Sequence, residues 1–205
     1  MKLKVGAPRN GTDYVDGVFN MGTGAEDPAD MGRVHTWNYT DHAFFPGPCG
    51  DVRGGAGEFY PPQLNQTFIQ MYSNDLCRSL QFNFNNLSYP HGIRTHEYVA
   101  DRLMFANGTE NPENKCYNPP EVNLPSGVFN TSVCRFGAPV FVSQPHFLLA
   151  DPYYASLVDG LAPEPEKHRT FLQIEPESGV PVAVTARFQM NVLLDKVKIS
   201  ILDYF

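Results

Sequence analysis

The chain has 205 residues, a net charge of −7 and 42% hydrophobic side chains, a size that builds one domain, or at most two small ones, with a real core. Ten tyrosines, fifteen phenylalanines and only 18% charged residues exclude a disordered tail, which is charge-rich and aromatic-poor. The 15 lysines and arginines are scattered, so no basic face exists to displace counterions from nucleic acid or to dock on an anionic bilayer.

Seventeen glycines and eighteen prolines interrupt the chain often, which favours short strands and turns over long helices. Met1–Gly6 lacks the apolar stretch of a signal peptide, and apolar runs such as 147–150 fall far short of the ~20 residues that span a bilayer. Between Gly6 and Pro62, Asn10-Gly11, Pro46-Gly47-Pro48 and Gly54-Gly55 are turn signals between short strands. From Ser79 to Leu87, the apolar Leu80, Phe82 and Phe84 alternate with Gln81, Asn83 and Asn85, the pattern of a half-buried strand. Asn107 to Ser126 reads as a long polar loop. Asp151 is placed to cap a helix with Pro152 at its first position and Gly160 at its end. Its apolar face (Tyr154, Leu157, Val158, Leu161) is expected to pack on the core. Val182 to Leu194 alternates throughout and reads as one long antiparallel strand. Its apolar face includes Val182, Val184, Phe188, Met190, Val192 and Leu194, which either pack in the core or line a hydrophobic channel.

Two features speak of the compartment. Asn-x-Ser/Thr occurs at Asn10, Asn38, Asn65, Asn86, Asn107 and Asn130, where chance would supply one or two. Such sites belong on wet turns of a chain passing through the secretory lumen. Cys49, Cys77, Cys116 and Cys134 are even in number, widely spaced and free of C-x-x-C pairs, which points to two disulfides with three possible connectivities. A luminal chain with no leader of its own is expected to be a piece of a larger protein.

The chemistry of an enzyme is missing. There is no G-x-S-x-G elbow, P-loop, H-E-x-x-H or EF-hand loop, and Gly22-Thr23-Gly24 lacks the later glycine of a dinucleotide fingerprint. The six histidines (His35, His42, His91, His96, His146, His168) show no metal-ligand spacing. Glu164, Glu166, Glu175 and Glu177 sit beside prolines, as solvated loop and strand ends do. No catalytic group, metal or cofactor is expected.

The order of the remaining segments is specific. Gly57-Glu58-Phe59-Tyr60-Pro61-Pro62, Asn74-Asp75-Leu76-Cys77-Arg78-Ser79 and Asn111-Pro112-Glu113-Asn114-Lys115-Cys116 precede Phe136-Gly137-Ala138-Pro139-Val140-Phe141-Val142-Ser143. Pro145-His146-Phe147, His168-Arg169-Thr170-Phe171 and Ile174-Glu175-Pro176 follow. Over nearly its whole length this chain resembles the class B scavenger receptors: platelet glycoprotein IV (fatty acid translocase), lysosomal integral membrane protein type 2, and the croquemort and sensory neuron membrane proteins. The spelling around Asp13-Tyr14-Val15-Asp16-Gly17 resembles invertebrate members. The resemblance implies a mainly β, α+β ectodomain with short helices, an antiparallel barrel-like core and a hydrophobic tunnel. Residues 1–205 would form a single partial ectodomain, the second half, without the apex or the two transmembrane helices. It also implies binding of lipids, lipoproteins or fatty acids, with protein ligands as a further class, at the plasma membrane or the lysosomal membrane. A secreted adhesion or decoy glycoprotein with protein partners is the alternative. The family pattern pairs Cys49 with Cys116 and Cys77 with Cys134. Asn118 stands where several members carry one cysteine of a further pair.

Overall fold

A computed structural model describes residues 2–5, 17–118 and 124–194. The fold is mainly β, and among the described residues the strands pair with one another antiparallel, with an isolated parallel bridge between Gly55 and Met71. An N-terminal sheet joins β1 (Lys2–Val5), β2 (Gly17–Met21) and β3 (Val34–Trp37). The central sheet has five strands in the order β10 (Val180–Thr185), β9 (Phe171–Glu175), β6 (Thr95–Val99), β5 (Arg78–Ser88) and β4 (Phe68–Ser73). A small sheet orders β11 (Gln189–Val192), β8 (Val140–Ser143) and β7 (Phe129–Asn130). Helices are short: α1 is Pro152–Ser156 and α2 is Pro165–His168, with 3-10 segments of three to six residues elsewhere among the described residues.

The alternation along β5 does what a period of two requires. Leu80 and Phe82 are buried, and Phe84 packs against the same core. That core gathers Ile69, Leu80, Phe82, Tyr98, Leu172 and Ile174 from the central sheet with Phe129 and Val142 from the small one. Each such side chain contributes about 1.5–3 kcal/mol by leaving water, and this shared burial fastens the two sheets together. A second core under the N-terminal sheet packs Phe19, Met21, Val34 and Trp37 on Val52 and Tyr72. The β9–β10 turn is fixed by Glu175, whose carboxylate accepts from the Glu177 amide and from the Ser178 amide and hydroxyl. Gly179 follows at φ 73°, and a Cβ there would lie 2.0 Å from the Tyr60 carbonyl oxygen, so the turn demands glycine.

Two sequence expectations are corrected. Val182–Leu194 is not one strand: it divides into β10 and β11, which belong to different sheets. The break is at Arg187, whose amide donates to the Thr170 hydroxyl while that hydroxyl donates to the Arg187 carbonyl. Held there, the chain leaves β9 and crosses to β8. The helix at Asp151 starts as expected, with the Asp151 carboxylate accepting from the Tyr153 amide at 2.9 Å. It ends at Ser156, however, and its apolar face is not packed on the core. Leu157 and Val158 are exposed; Tyr154 is the buried anchor, donating its hydroxyl to the Pro125 carbonyl.

Candidate functional site

Directly opposed residues of antiparallel strands share a face, so register converts into surface. Phe84 opposes Tyr98, Tyr98 opposes Leu172, and Leu172 opposes Val184, a row of four across β5, β6, β9 and β10. In the small sheet Phe129 opposes Val142 and Val142 opposes Met190. Tyr98, Leu172, Phe129 and Val142 meet in the main core. Each row therefore starts in that core and runs out of it onto an edge strand, ending at Val184 (53% exposed) and Met190 (80% exposed).

The surface so formed is apolar and uncharged. The Tyr98 phenol is pushed up to about 12 by burial and donates to the Asn65 carbonyl at 2.6 Å. His96 opposes Ile174; burial, with the nearby Arg94 charge, moves it below the ordinary histidine value and so favours its neutral form. Among the described residues, no group of three His, Cys, Asp or Glu side chains could hold a metal.

Charge is kept elsewhere and firmly held. Glu97 is buried and accepts from Arg169, Asn85 and Gln173 at 2.8–2.9 Å. Burial alone would raise its carboxyl, but those hydrogen bonds and the Arg169 charge outweigh it and leave the value lowered. Arg78 is 3% exposed. Its guanidinium lies 4.0 Å from the Tyr117 ring centroid, 4.1 Å from that of Phe129 and 5.2 Å from that of Phe45, and it donates to the Leu76 and Asn130 carbonyls. Burial pushes it down to about 10, so it stays charged at neutral pH. Beside it run two disulfides, Cys49–Cys116 with Cα atoms 5.7 Å apart and Cys77–Cys134 with Cα atoms 6.3 Å apart. A cleft of about 590 Å³ opens here, lined by Arg78, Gln81, Asn83, Leu103 and Met104 among others. A second, of about 470 Å³, lies between Arg33–His35 and Tyr60–Leu64.

Residues 2–205 match the model of the CD36 family. The chain belongs to the CD36 family. It is 41% identical over 192 residues to protein peste of Drosophila melanogaster, covering 93% of this chain and 35% of that protein. Scavenger receptor class B member 1 of Rattus norvegicus is 33% identical over 189 residues (91% and 36%). Lysosome membrane protein 2 of Homo sapiens is 30% identical over 196 residues (92% and 39%). The chain thus spans little more than a third of the length of the curated relatives it matches.

In this CD36-family chain the sequons at Asn38, Asn65 and Asn86 are exposed, those at Asn107 and Asn130 are half-buried, and Asn10 lies outside the described residues. The Asn107 amide is engaged on both sides, donating to the Leu124 carbonyl and accepting from the Thr109 and Glu110 amides. Of the six side chains expected in the core or a channel, Phe188 packs against the core and Val182 is half-buried. Core packing is corrected for Val184, Met190, Val192 and Leu194, all exposed because they stand on or beyond the edge strands β10 and β11. Among the described residues no helix is long and apolar enough to cross a membrane. Sequence reasoning missed Arg78, although it stands in register with Leu80 and Phe82, where a charge is out of place. It also missed the pairing of His146 with His168, for which spacing carries no signal.

Proposed function

We propose that this chain is the second half of a class B scavenger receptor ectodomain that takes up lipid or lipoprotein-borne lipid and passes it along an apolar tunnel to the membrane. The two register rows that run from the core to Val184 and Met190 carry this reading. An apolar wall that continues past its own core is matched either by more protein or by lipid, and hydrocarbon gains ~0.8 kcal/mol per sheltered methylene. Val182, Val184, Phe188, Met190, Val192 and Leu194 are the wall residues in this proposal. The disulfides and exposed sequons support an extracellular or lysosomal-luminal side, with the receptor held in the plasma membrane or the lysosomal membrane. The whole receptor's partners would be lipids, lipoproteins or fatty acids, and no step calls for a catalytic residue.

The test uses the complete receptor in cells, measuring uptake of a fluorescent fatty acyl lipid against the amount of receptor at its membrane. Met190→Asp places a charge on the wall, and Met190→Trp narrows it without one. Both should reach the membrane in wild-type amounts, since Met190 makes little of the core, and both should cut transfer several-fold. Normal transfer by either variant would overturn the proposal.

A further inference from the structure

His146 and His168 come from distant segments, yet their rings stack with centroids 4.4 Å apart and planes 12° from parallel. Both rings accept at Nδ1 from backbone amides of one short segment, His146 from Ala162 at 3.0 Å and His168 from Glu164 at 2.9 Å. The His146 amide in turn donates to the Gln189 side chain of β11 at 2.9 Å. We propose that the stacked pair is an acid-released latch that holds residues 161–164 against the fold at neutral pH and lets them go as pH falls.

The reason is the donor–acceptor character of imidazole. A nitrogen that accepts from an N–H carries no proton, so both rings are the neutral tautomer with hydrogen on Nε2. Protonating either ring turns its Nδ1 into a donor facing a backbone donor, and that hydrogen bond is lost. Protonating both also sets two like charges face to face. Histidine is the side chain whose charge ordinarily changes between pH 5 and 8, which is the span between the cell surface and acidic organelles.

The charged groups of the surrounding segments have other partners or face solvent. Glu164 is paired with Lys167, and Arg169 is paired with the buried Glu97. Glu166 and Asp159 are exposed, and Arg187 donates to the Arg169 carbonyl. Next to the pair, β11 offers the neutral Gln189 to the His146 amide, and Phe147 stacks on Tyr154 of α1. Among the described residues the histidine–carboxylate pairs are His35–Asp30 and His42–Asp51, so neither latch ring has an acidic partner. The latch stands apart from the lipid reading: it depends on ring geometry and not on what the apolar wall binds.

Amide exchange of the intact glycosylated receptor at pH 7.5 and 5.0, corrected for intrinsic rates, tests it. Protection of the Ala162 and Glu164 amides should fall at least tenfold at pH 5.0 while β5 and β6 are unchanged; equal protection at both pH values overturns the latch. His168→Phe keeps a stacking ring but no acceptor or charge, so Glu164 should be open at both pH values. A closed segment, or pH-dependent opening at Glu164, in that variant also overturns it. Nitrogen-15 shifts of labelled histidine in the unmutated protein give a reading independent of any variant. Both Nδ1 atoms should be unprotonated at pH 7.5, and a proton on either refutes the arrangement.

Discussion

Arg78 offers a sharp test of how this fold tolerates a buried charge. Its guanidinium has aromatic rings at 4.0 and 4.1 Å and gives hydrogen bonds to two carbonyls. Arg78→Lys keeps the charge, but a compact ammonium cannot lie flat against two rings while its three donors reach both carbonyls. It forfeits a charged hydrogen bond, about 1.5–3 kcal/mol, and much of a desolvated cation–π contact, about 2 kcal/mol. The sum is about 3–5 kcal/mol. Arg78→Met removes the charge altogether. It withdraws donors from the Leu76 and Asn130 carbonyls, about 1–3 kcal/mol each, together with the cation–π contact; against that it removes the cost of keeping a charge out of water and recovers about 0.3–1.5 kcal/mol from sulfur on the aromatic faces. Keeping the charge should therefore not protect the fold: lysine should cost about 3–5 kcal/mol on its own. Thermal melts followed by near-ultraviolet circular dichroism at pH 7, with disulfides intact, read this directly. At ~2–4 °C per kcal/mol for a chain of this size, lysine should lower the midpoint by roughly 6–20 °C. If Arg78→Lys melted with the parent protein, the stacked-cation account of Arg78 would be wrong.

Two other perturbations have defined outcomes. Replacing Cys77 and Cys134 together by alanine opens a loop with a sequence separation of 57, which the chain-entropy relation makes worth about 4 kcal/mol; reduced secretion and a lower denaturant midpoint should follow, and an unchanged midpoint contradicts the estimate. Glu97 has a lowered carboxyl in the folded state, so the stability it provides is present above the unfolded carboxylate value and is lost as pH falls through the folded one. Glu97→Gln should be less stable than the parent at pH 7 and show a shallower loss between pH 5 and 3. Parallel curves for the two proteins would show that Glu97 does not contribute to acid sensitivity.

Much of this protein is local information, and local information is legible. Period-two alternation gave β5 its buried face because strand side chains alternate by covalent geometry. The Asp151-Pro152 start of α1 follows from a carboxylate able to accept a first-turn amide. The end of that helix did not follow, because Leu157 and Val158 find no partner surface, and an apolar stripe persists as helix only where something covers it. Four cysteines left three pairings open by spacing; the resemblance selected one, and the fold brings those sulfurs together around the Arg78 box. Alternation from Val182 to Leu194 could not reveal the break at Arg187, since the cause is the Thr170 hydroxyl, distant in sequence. Nor could any spacing rule find His146 beside His168. Composition, period and caps act between near neighbours and are written in the chain. Which sheet a strand joins, which charge is boxed by rings and which imidazoles stack depend on surfaces that exist only after distant segments have packed.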